Sequence, residues 1–117
     1  MSNPKRGELE IVLGERKLKA RVTLDVVMRI EQACDKSIIQ IAQSLTAGEL
    51  TTTQQMSILT PAIRAGGNDI SEKDVGEYLW DAGLQDGIKA ISAIIGQVLT
   101  SGEDEGNEEK AEDNRLV

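Results

Sequence analysis

Two short runs of alternating residues constrain the fold more than any other feature of this chain. Residues 8–13 and 17–23 each place an apolar side chain at nearly every second position, which is the period of a half-buried strand. Residues 14–16, which begin with glycine, separate the two runs and predict a turn. The region from about 8 to 23 is therefore predicted to be a β-hairpin.

The two strands share one register that satisfies both their apolar and their charged residues. In that register Glu10 faces Arg21, and three apolar pairs line the other face: Leu13 with Leu18, Ile11 with Ala20, and Leu9 with Val22. An isolated two-stranded hairpin is marginally stable in water, so the apolar face needs a cover. We expect the helix that Thr23 caps to lie on it, with these apolar residues: Leu24, Val27, Met28, Ile30 and Cys34.

Further helices follow up to about residue 100. Three helix starts combine a Ser or Thr cap with a Gln or Asp three residues later: Ser37 with Gln40, Thr52 with Gln55, and Ser71 with Asp74. Glycines mark the expected ends: Gly48, Gly66-Gly67 and Gly83. Pro61 is expected to kink or divide the third segment. The predicted fold class is α+β, an N-terminal β-hairpin packed on a bundle of about four to five short helices.

The chain divides into one folded domain, residues 1–101, and an acidic tail, residues 102–117. The tail has seven acidic and two basic residues, a net charge of −5, whereas the whole chain of 117 residues carries −7. The tail lacks aromatic and β-branched residues before Val117, so it cannot offset the entropy of ordering and is predicted to be disordered.

Composition argues against several classes of partner and location. The folded part carries a net charge of only −2, and the chain has two aromatic residues, so nucleic acid is a poor candidate partner. No apolar run approaches the roughly 20 residues that span a bilayer, and residues 1–6 lack the apolar stretch of a secretory signal. We therefore expect a cytoplasmic protein with no membrane partner.

Catalytic and cofactor chemistry also find little support. The chain has no histidine, so the usual general base and the commonest metal ligand are missing. Cys34 lies among apolar helix-forming residues and is predicted to be a buried thiol. Residues 101–112 resemble a calcium loop only faintly, because Glu108 stands at a position that should be apolar. We expect no enzyme activity, no cofactor and no metal site.

Two aromatic residues and the last helix are the candidate partner-binding features. Large rings are favoured at interface centres, and Tyr78 and Trp80 cannot share one helix face because they are two residues apart. We therefore expect one ring in the core and the other at the surface. The predicted partner-binding residues are these two and the apolar stripe of the last helix: Tyr78, Trp80, Ile91, Ile94, Ile95 and Val98.

The order of several short segments resembles the tail assembly chaperone family of gene transfer agents and tailed phages. The segments span nearly the whole domain: Pro4-Lys5-Arg6-Gly7-Glu8-Leu9, Gly14, Leu18 through Thr23-Leu24, Ile30-Glu31, Ile38-Ile39, Leu45, Gly48 to Leu50, Ile63-Arg64-Ala65-Gly66-Gly67, Ile70-Ser71, Asp74-Val75 and Gly83-Leu84. The chain departs from the pattern at Asp35, where such proteins often have glycine, and in its long acidic tail.

The resemblance implies a non-catalytic protein that acts in the cytoplasm of a bacterial host cell, encoded by a phage, a prophage or a gene transfer agent. Its implied partner is the tape measure protein, with tail-tube subunits as a second client, during tail morphogenesis. A frameshifted longer form and self-association into a homo-oligomer stay open.

Two other classes remain as alternatives. One is a structural virion component, such as a tail-completion or head-tail joining protein, and the other is a small regulatory interaction protein. Basic residues gather near the hairpin, where they are predicted to form the solvent face of the strands: Lys5, Arg6, Arg16, Lys17, Lys19 and Arg21.

Overall fold

A computed structural model describes the main chain of residues 7–116 and the side chains of residues 7–100. Two strands precede five helices, which confirms the predicted α+β class. The elements are β1 (Glu8–Leu13), β2 (Arg16–Arg21), α1 (Leu24–Cys34), α2 (Ile38–Ala47), α3 (Thr52–Ala65), α4 (Glu72–Ala82) and α5 (Leu84–Leu116).

The hairpin forms with the predicted faces but in a different register. Leu9 pairs with Ala20, Ile11 with Leu18, and Leu13 with Arg16, so the expected pairing of Leu13 with Leu18 is wrong by two residues. A shift of two leaves every side chain on its face, and for that reason the alternating pattern cannot detect it. The tight turn decides the register: Gly14 has φ 67°, the left-handed conformation that a two-residue hairpin turn needs at its first position.

The cover of the hairpin comes from later in the chain than expected. Helices α3 and α5 make the main contacts with β2 and β1, whereas α1 packs chiefly on α3. The inward stripe of α1 consists of Val26, Ile30 and Cys34. Leu24 and Met28, which were expected to face the hairpin, are exposed. The prediction that α1 lies on the hairpin is therefore wrong, because α3, with seven buried residues, and α5 occupy that place.

Side-chain caps start four of the helices. Thr23 caps α1, and Ser37 with Gln40 and Ser71 with Asp74 form the predicted capping boxes of α2 and α4. The box of α3 is Thr51 with Gln54, one residue before the predicted pair, since three successive threonines offer equivalent caps. Thus the caps were predictable from sequence to within one residue.

Helix α3 is continuous through Pro61, so the division that was expected at this residue does not occur.

Six side chains of the hairpin and α3 belong to the core of the molecule: Ile11, Leu13, Ala20, Ile58, Leu59 and Ile63. The core also holds Cys34, as predicted, and burial raises the pKa of its thiol above the usual value.

A close contact joins the end of α3 to β2. A Cβ added at Gly66 would collide with the carbonyl oxygen of Lys19, so only glycine lets the two main chains approach this closely. The amide of Asn68 donates to that same oxygen at 2.8 Å and to the carbonyl of Ile63 at 2.9 Å. The Gly66-Gly67 pair therefore ends the helix, as predicted, and also attaches it to the hairpin.

The side chains of residues 101–117 lie outside the described residues. The proposed boundary at residue 101 and the disorder expected for residues 102–117 thus stay predictions. Among the described residues, none of the helices combines the length and the hydropathy of a membrane-spanning segment.

Candidate partner-binding surface

Tyr78 and Trp80 lie on α4 and face different environments, as their spacing predicts. Tyr78 is half-buried and packs against the core. The guanidinium carbon of Arg16, on β2, lies 3.9 Å from the centroid of its ring, which is a cation–π contact. One aromatic residue of the pair thus attaches α4 to the hairpin.

Trp80 is 76% exposed, the largest exposed fraction among the large hydrophobic residues that the structure describes. Its neighbours at helical spacing, Lys73 and Glu77, are charged and exposed, and Leu84 is exposed at the start of α5. A lone exposed leucine needs no explanation, but an exposed indole leaves a large apolar area in water. Trp80 is therefore the strongest single candidate for a partner contact in the described chain.

An open groove of about 610 Å³ lies between the hairpin turn and the end of α4. Leu13, Glu15 and Arg16 line it from the hairpin, and Tyr78, Asp81 and Ala82 line it from α4. We call it the turn groove. Its lining combines an aliphatic and an aromatic side chain with charges of both signs, a mixture that suits an amphipathic segment.

The turn is fixed to the last helix as well as to α4. The amide of Gly14 donates to Oδ2 of Asp86 on α5 at 3.0 Å. A Cβ at Gly14 would lie 3.3 Å from that of Ala82, which shows how closely the turn approaches α4. The hairpin side of the groove is therefore held in place by a hydrogen bond from the main chain of the turn to α5 and by close packing of the turn on α4.

Most of the predicted apolar stripe of the last helix faces the core. Ile91, Ile94 and Ile95 are at most 3% exposed, and Val98 is partly buried against the same cluster. They cover β1, a role that the helical period alone could not distinguish from an open stripe. These isoleucines are inaccessible to a partner in this structure, so their predicted contact would require α5 to move away from the hairpin.

Three further apolar side chains of α1 and α2 are exposed, and sequence reasoning missed their exposure. Leu24, Met28 and Ile39 are 75%, 49% and 56% exposed. Of these three, Met28 lines an open groove of about 540 Å³, whose lining is mostly polar: Met28, Glu31, Gln32, Asp35, Lys36, Ser37 and Gln40. The exposed pair of Asp25 and Arg29, joined at 2.7 Å, could have revealed this outward face of α1.

Three basic residues of β2, Lys17, Lys19 and Arg21, lie on the outer face as predicted, whereas Arg16 is opposite Leu13 on the apolar face. Arg16, Lys17 and Lys19 are exposed and Arg21 is half-buried, whereas Lys5 and Arg6 lie outside the described residues. Lys19 and Arg21 pair across the hairpin with Glu10 and Glu8. The outer face of the hairpin is therefore a mixed-charge surface. Among the described residues, no group of three or more Cys, Asp or Glu is placed to hold a metal ion.

Comparison with known proteins gives one informative match. No curated protein and no solved structure matches the chain. A family model described as "Phage tail tube protein, GTA-gp10" matches residues 6–101, which include both strands, α1 to α4 and the part of α5 that packs on the hairpin. The expected link to phage and gene transfer agent tails is thereby confirmed, with a tail-associated structural or assembly role, and the chain belongs to this tail protein family.

Proposed function

We propose that the protein is a non-catalytic tail assembly chaperone, which binds the tape measure protein and, as a second client, tail-tube subunits. The observation that carries the proposal is the exposed indole of Trp80, which is 76% exposed on α4 while Val75 and Leu79 of the same helix are buried. An exposed aromatic side chain on a helix can pack against the apolar stripe of an amphipathic client helix.

The energetics favour Trp80 as the anchor. A buried tryptophan removes about 150–250 Å² from water, which corresponds to roughly 4–6 kcal/mol before the costs of association. The resemblance implies that the tape measure protein is long, helical and striped with apolar residues. Such a client aggregates alone, and covering its stripe with a charged partner keeps it in solution.

Acidic residues also support the proposed chaperone role. Glu15 and Asp81 line the turn groove, and residues 102–117 hold seven acids and two bases. We propose that this acidic segment keeps the complex soluble and competes for basic stretches of the client. Deleting residues 102–117 should therefore lower the solubility of the complex strongly, and should change the affinity of the folded part for the client only slightly.

Trp80 is the only tryptophan of the chain, so its fluorescence reports directly on its own surroundings. Titrating helical segments of the tape measure protein into the full chain should shift the emission to the blue as the indole leaves water. A saturating titration with unchanged emission would show that the client binds elsewhere.

Co-expression provides the functional test. The soluble yield of the tape measure protein should rise when the full chain is present. Trp80→Ala should weaken binding about 30-fold, the equivalent of a hot-spot loss of about 2 kcal/mol. Leu24→Ala is the matched control, because it removes an equally exposed side chain from the surface of α1 and should leave binding unchanged. Equal client solubility with and without the chain would refute the chaperone role.

The family description favours a second candidate, a structural component of the tail. Such a protein stays in the finished particle as a ring, whereas a chaperone leaves. Quantitative mass spectrometry of purified particles separates them, since ring stoichiometry supports the structural role and absence supports the chaperone. The third class, a regulator, requires DNA binding at low salt, where we expect none.

A further inference from the structure

The hairpin has two edges, and its hydrogen bonds show which main-chain groups face each one. The amide of Val22 donates to the carbonyl of Gly7 at 2.9 Å, in the same register as the strands. Every second residue of β1 from Gly7 onward therefore bonds to β2. The alternate residues, Glu8, Glu10 and Val12, direct their amides and carbonyls away from β2.

The edge of β2 is closed. The outward carbonyl of Lys19 accepts a hydrogen bond from Asn68, and the main chain of Gly66 packs against it. Lysines at positions 17 and 19 further discourage pairing at that edge. No strand can add to β2 unless the end of α3 first moves away.

The edge of β1 is open by the same criteria. Among the described residues, no hydrogen bond reaches the outward main-chain groups of Glu10 or Val12. Glu10 is exposed and Val12 is 44% exposed. A row of unpaired amides and carbonyls on a strand is a template for another strand.

We propose that the β1 edge binds an extended segment of a partner protein, in which Lys or Arg recurs at every second position, as a third strand. The charges of the outer face specify this chemistry. Glu8 and Glu10 have Arg21 and Lys19 opposite them on β2. A basic residue on the incoming strand would neutralise each carboxylate from its other side, and an aliphatic residue fits opposite Val12.

The same charges disfavour a second copy of the chain at this edge. Antiparallel pairing of two β1 strands places Glu10 opposite Glu10 or opposite Val12 in the registers with the largest overlap. The carboxylates gain no cation in either register, and facing like charges are destabilising. This binding mode lies on a different surface from Trp80 and does not rest on the chaperone proposal.

The test uses two synthetic peptides of identical composition and the full chain. One peptide alternates lysine with valine or threonine, and the other groups its lysines together. The alternating peptide should bind with at least tenfold higher affinity in calorimetry, and should slow hydrogen exchange at the amides of Glu8, Glu10 and Val12. Equal binding of both peptides would overturn the proposal, because it would indicate net charge alone.

Two proline substitutions distinguish the edges. Val12→Pro removes an outward amide and leaves the ladder to β2 intact, so it should fold and lose at least tenfold in affinity. Lys17→Pro removes the matching outward amide at the closed edge and should bind as the unmodified chain does. Unchanged binding by Val12→Pro would overturn the proposal.

A charge reversal keeps the test valid if the proline variant does not fold. Glu10→Lys retains every main-chain group, and should weaken the alternating lysine peptide and admit one that alternates glutamate. An unaltered preference would refute the assignment. Protection of the β1 amides in the peptide-free chain, together with dimers in sedimentation, would also overturn it in favour of a second copy. Loss of peptide binding without loss of Trp80-dependent client binding would separate this proposal from the chaperone role.

Discussion

Helices α3 and α4 lie side by side and differ sharply in what they expose. Seven of the 14 residues of α3 are buried, whereas only Val75 and Leu79 are buried among the 11 of α4. Helix α3 contacts α1, β2, α4 and α5, and α4 presents Trp80 to solvent. The contrast indicates that α3 contributes most to stability and that α4 has exposed surface that a partner could contact.

Polar residues inside α3 strengthen this view of its central position. The hydroxyl of Thr60 donates to the carbonyl of Met56 at 2.8 Å, which satisfies it within the helix. Oε1 of Gln55 is buried and has no hydrogen-bond partner among the described residues, a state that usually costs about 1–3 kcal/mol. The surrounding packing of α3 has to offset this cost.

Leu59→Ala should give the largest effect. The side chain is fully buried in α3, and truncating such a leucine typically lowers the free energy of unfolding by about 2–5 kcal/mol. Urea denaturation followed by circular dichroism measures the change. Leu24→Ala, at a position that is 75% exposed, should change it by no more than about 0.5 kcal/mol. Similar losses from both variants would remove the contrast between core and surface.

Gly66→Ala should come next, at a cost of roughly 1–3 kcal/mol, because the new methyl group forces α3 away from Lys19. Gly96→Ala is the matched control. Its Cβ would meet no atom within 4 Å, so the better helix propensity of alanine should stabilise the chain by about 0.5–1 kcal/mol. The two substitutions should therefore change the free energy of unfolding in opposite directions, and a gain at Gly66 would contradict the close contact.

Asp35→Gly should stabilise the chain by about 0.5–1 kcal/mol. Asp35 ends α1 with φ 55°, the left-handed conformation that favours glycine. Asp35→Ala keeps the conformational penalty and should give no gain, so the difference between the two variants isolates the main-chain effect. Thermal unfolding of both variants is the measurement, and equal melting temperatures would argue against a left-handed residue here.

Trp80→Ala should have the smallest effect on stability, within about 0.5 kcal/mol, since the indole is mostly in water. The adjacent Leu79→Ala should lose about 2–5 kcal/mol, because Leu79 is buried in the same helix. Denaturation of this pair, followed by circular dichroism, sharpens the comparison within α4 itself. A large loss at Trp80 would mean that the indole supports the fold and is not free for a partner.

Local chemistry could be predicted from the sequence, and tertiary cover could not. The capping boxes of Ser37 and Ser71 are short-range hydrogen bonds between residues three apart, so their sequence signature suffices. The preference for glycine at the position of Asp35 also has a local cause, because α1 ends there in a left-handed conformation. These features required no knowledge of which elements meet.

The errors share one cause, which is that a periodic pattern does not identify its partner. The hairpin register slipped by two because both registers preserve the faces. Ile91, Ile94 and Ile95 gave the same pattern whether they covered β1 or awaited a client. For the candidate site, spacing placed Tyr78 and Trp80 on different faces, but it could not show that Arg16 covers Tyr78 and that Trp80 is left exposed.

The attachment of the hairpin turn to α5 has a consequence for synthesis of the chain on the ribosome. Gly14 is made early, yet the carboxylate of Asp86 that its amide contacts follows 72 residues later. At typical translation speeds this interval is on the order of 10 s. For much of this interval α3 has not yet been made, and for nearly all of it α5 is missing, so the apolar face of the nascent hairpin is uncovered. The strands therefore reach their final packing only as the last helix emerges, and until then the apolar face of the hairpin is open to premature association.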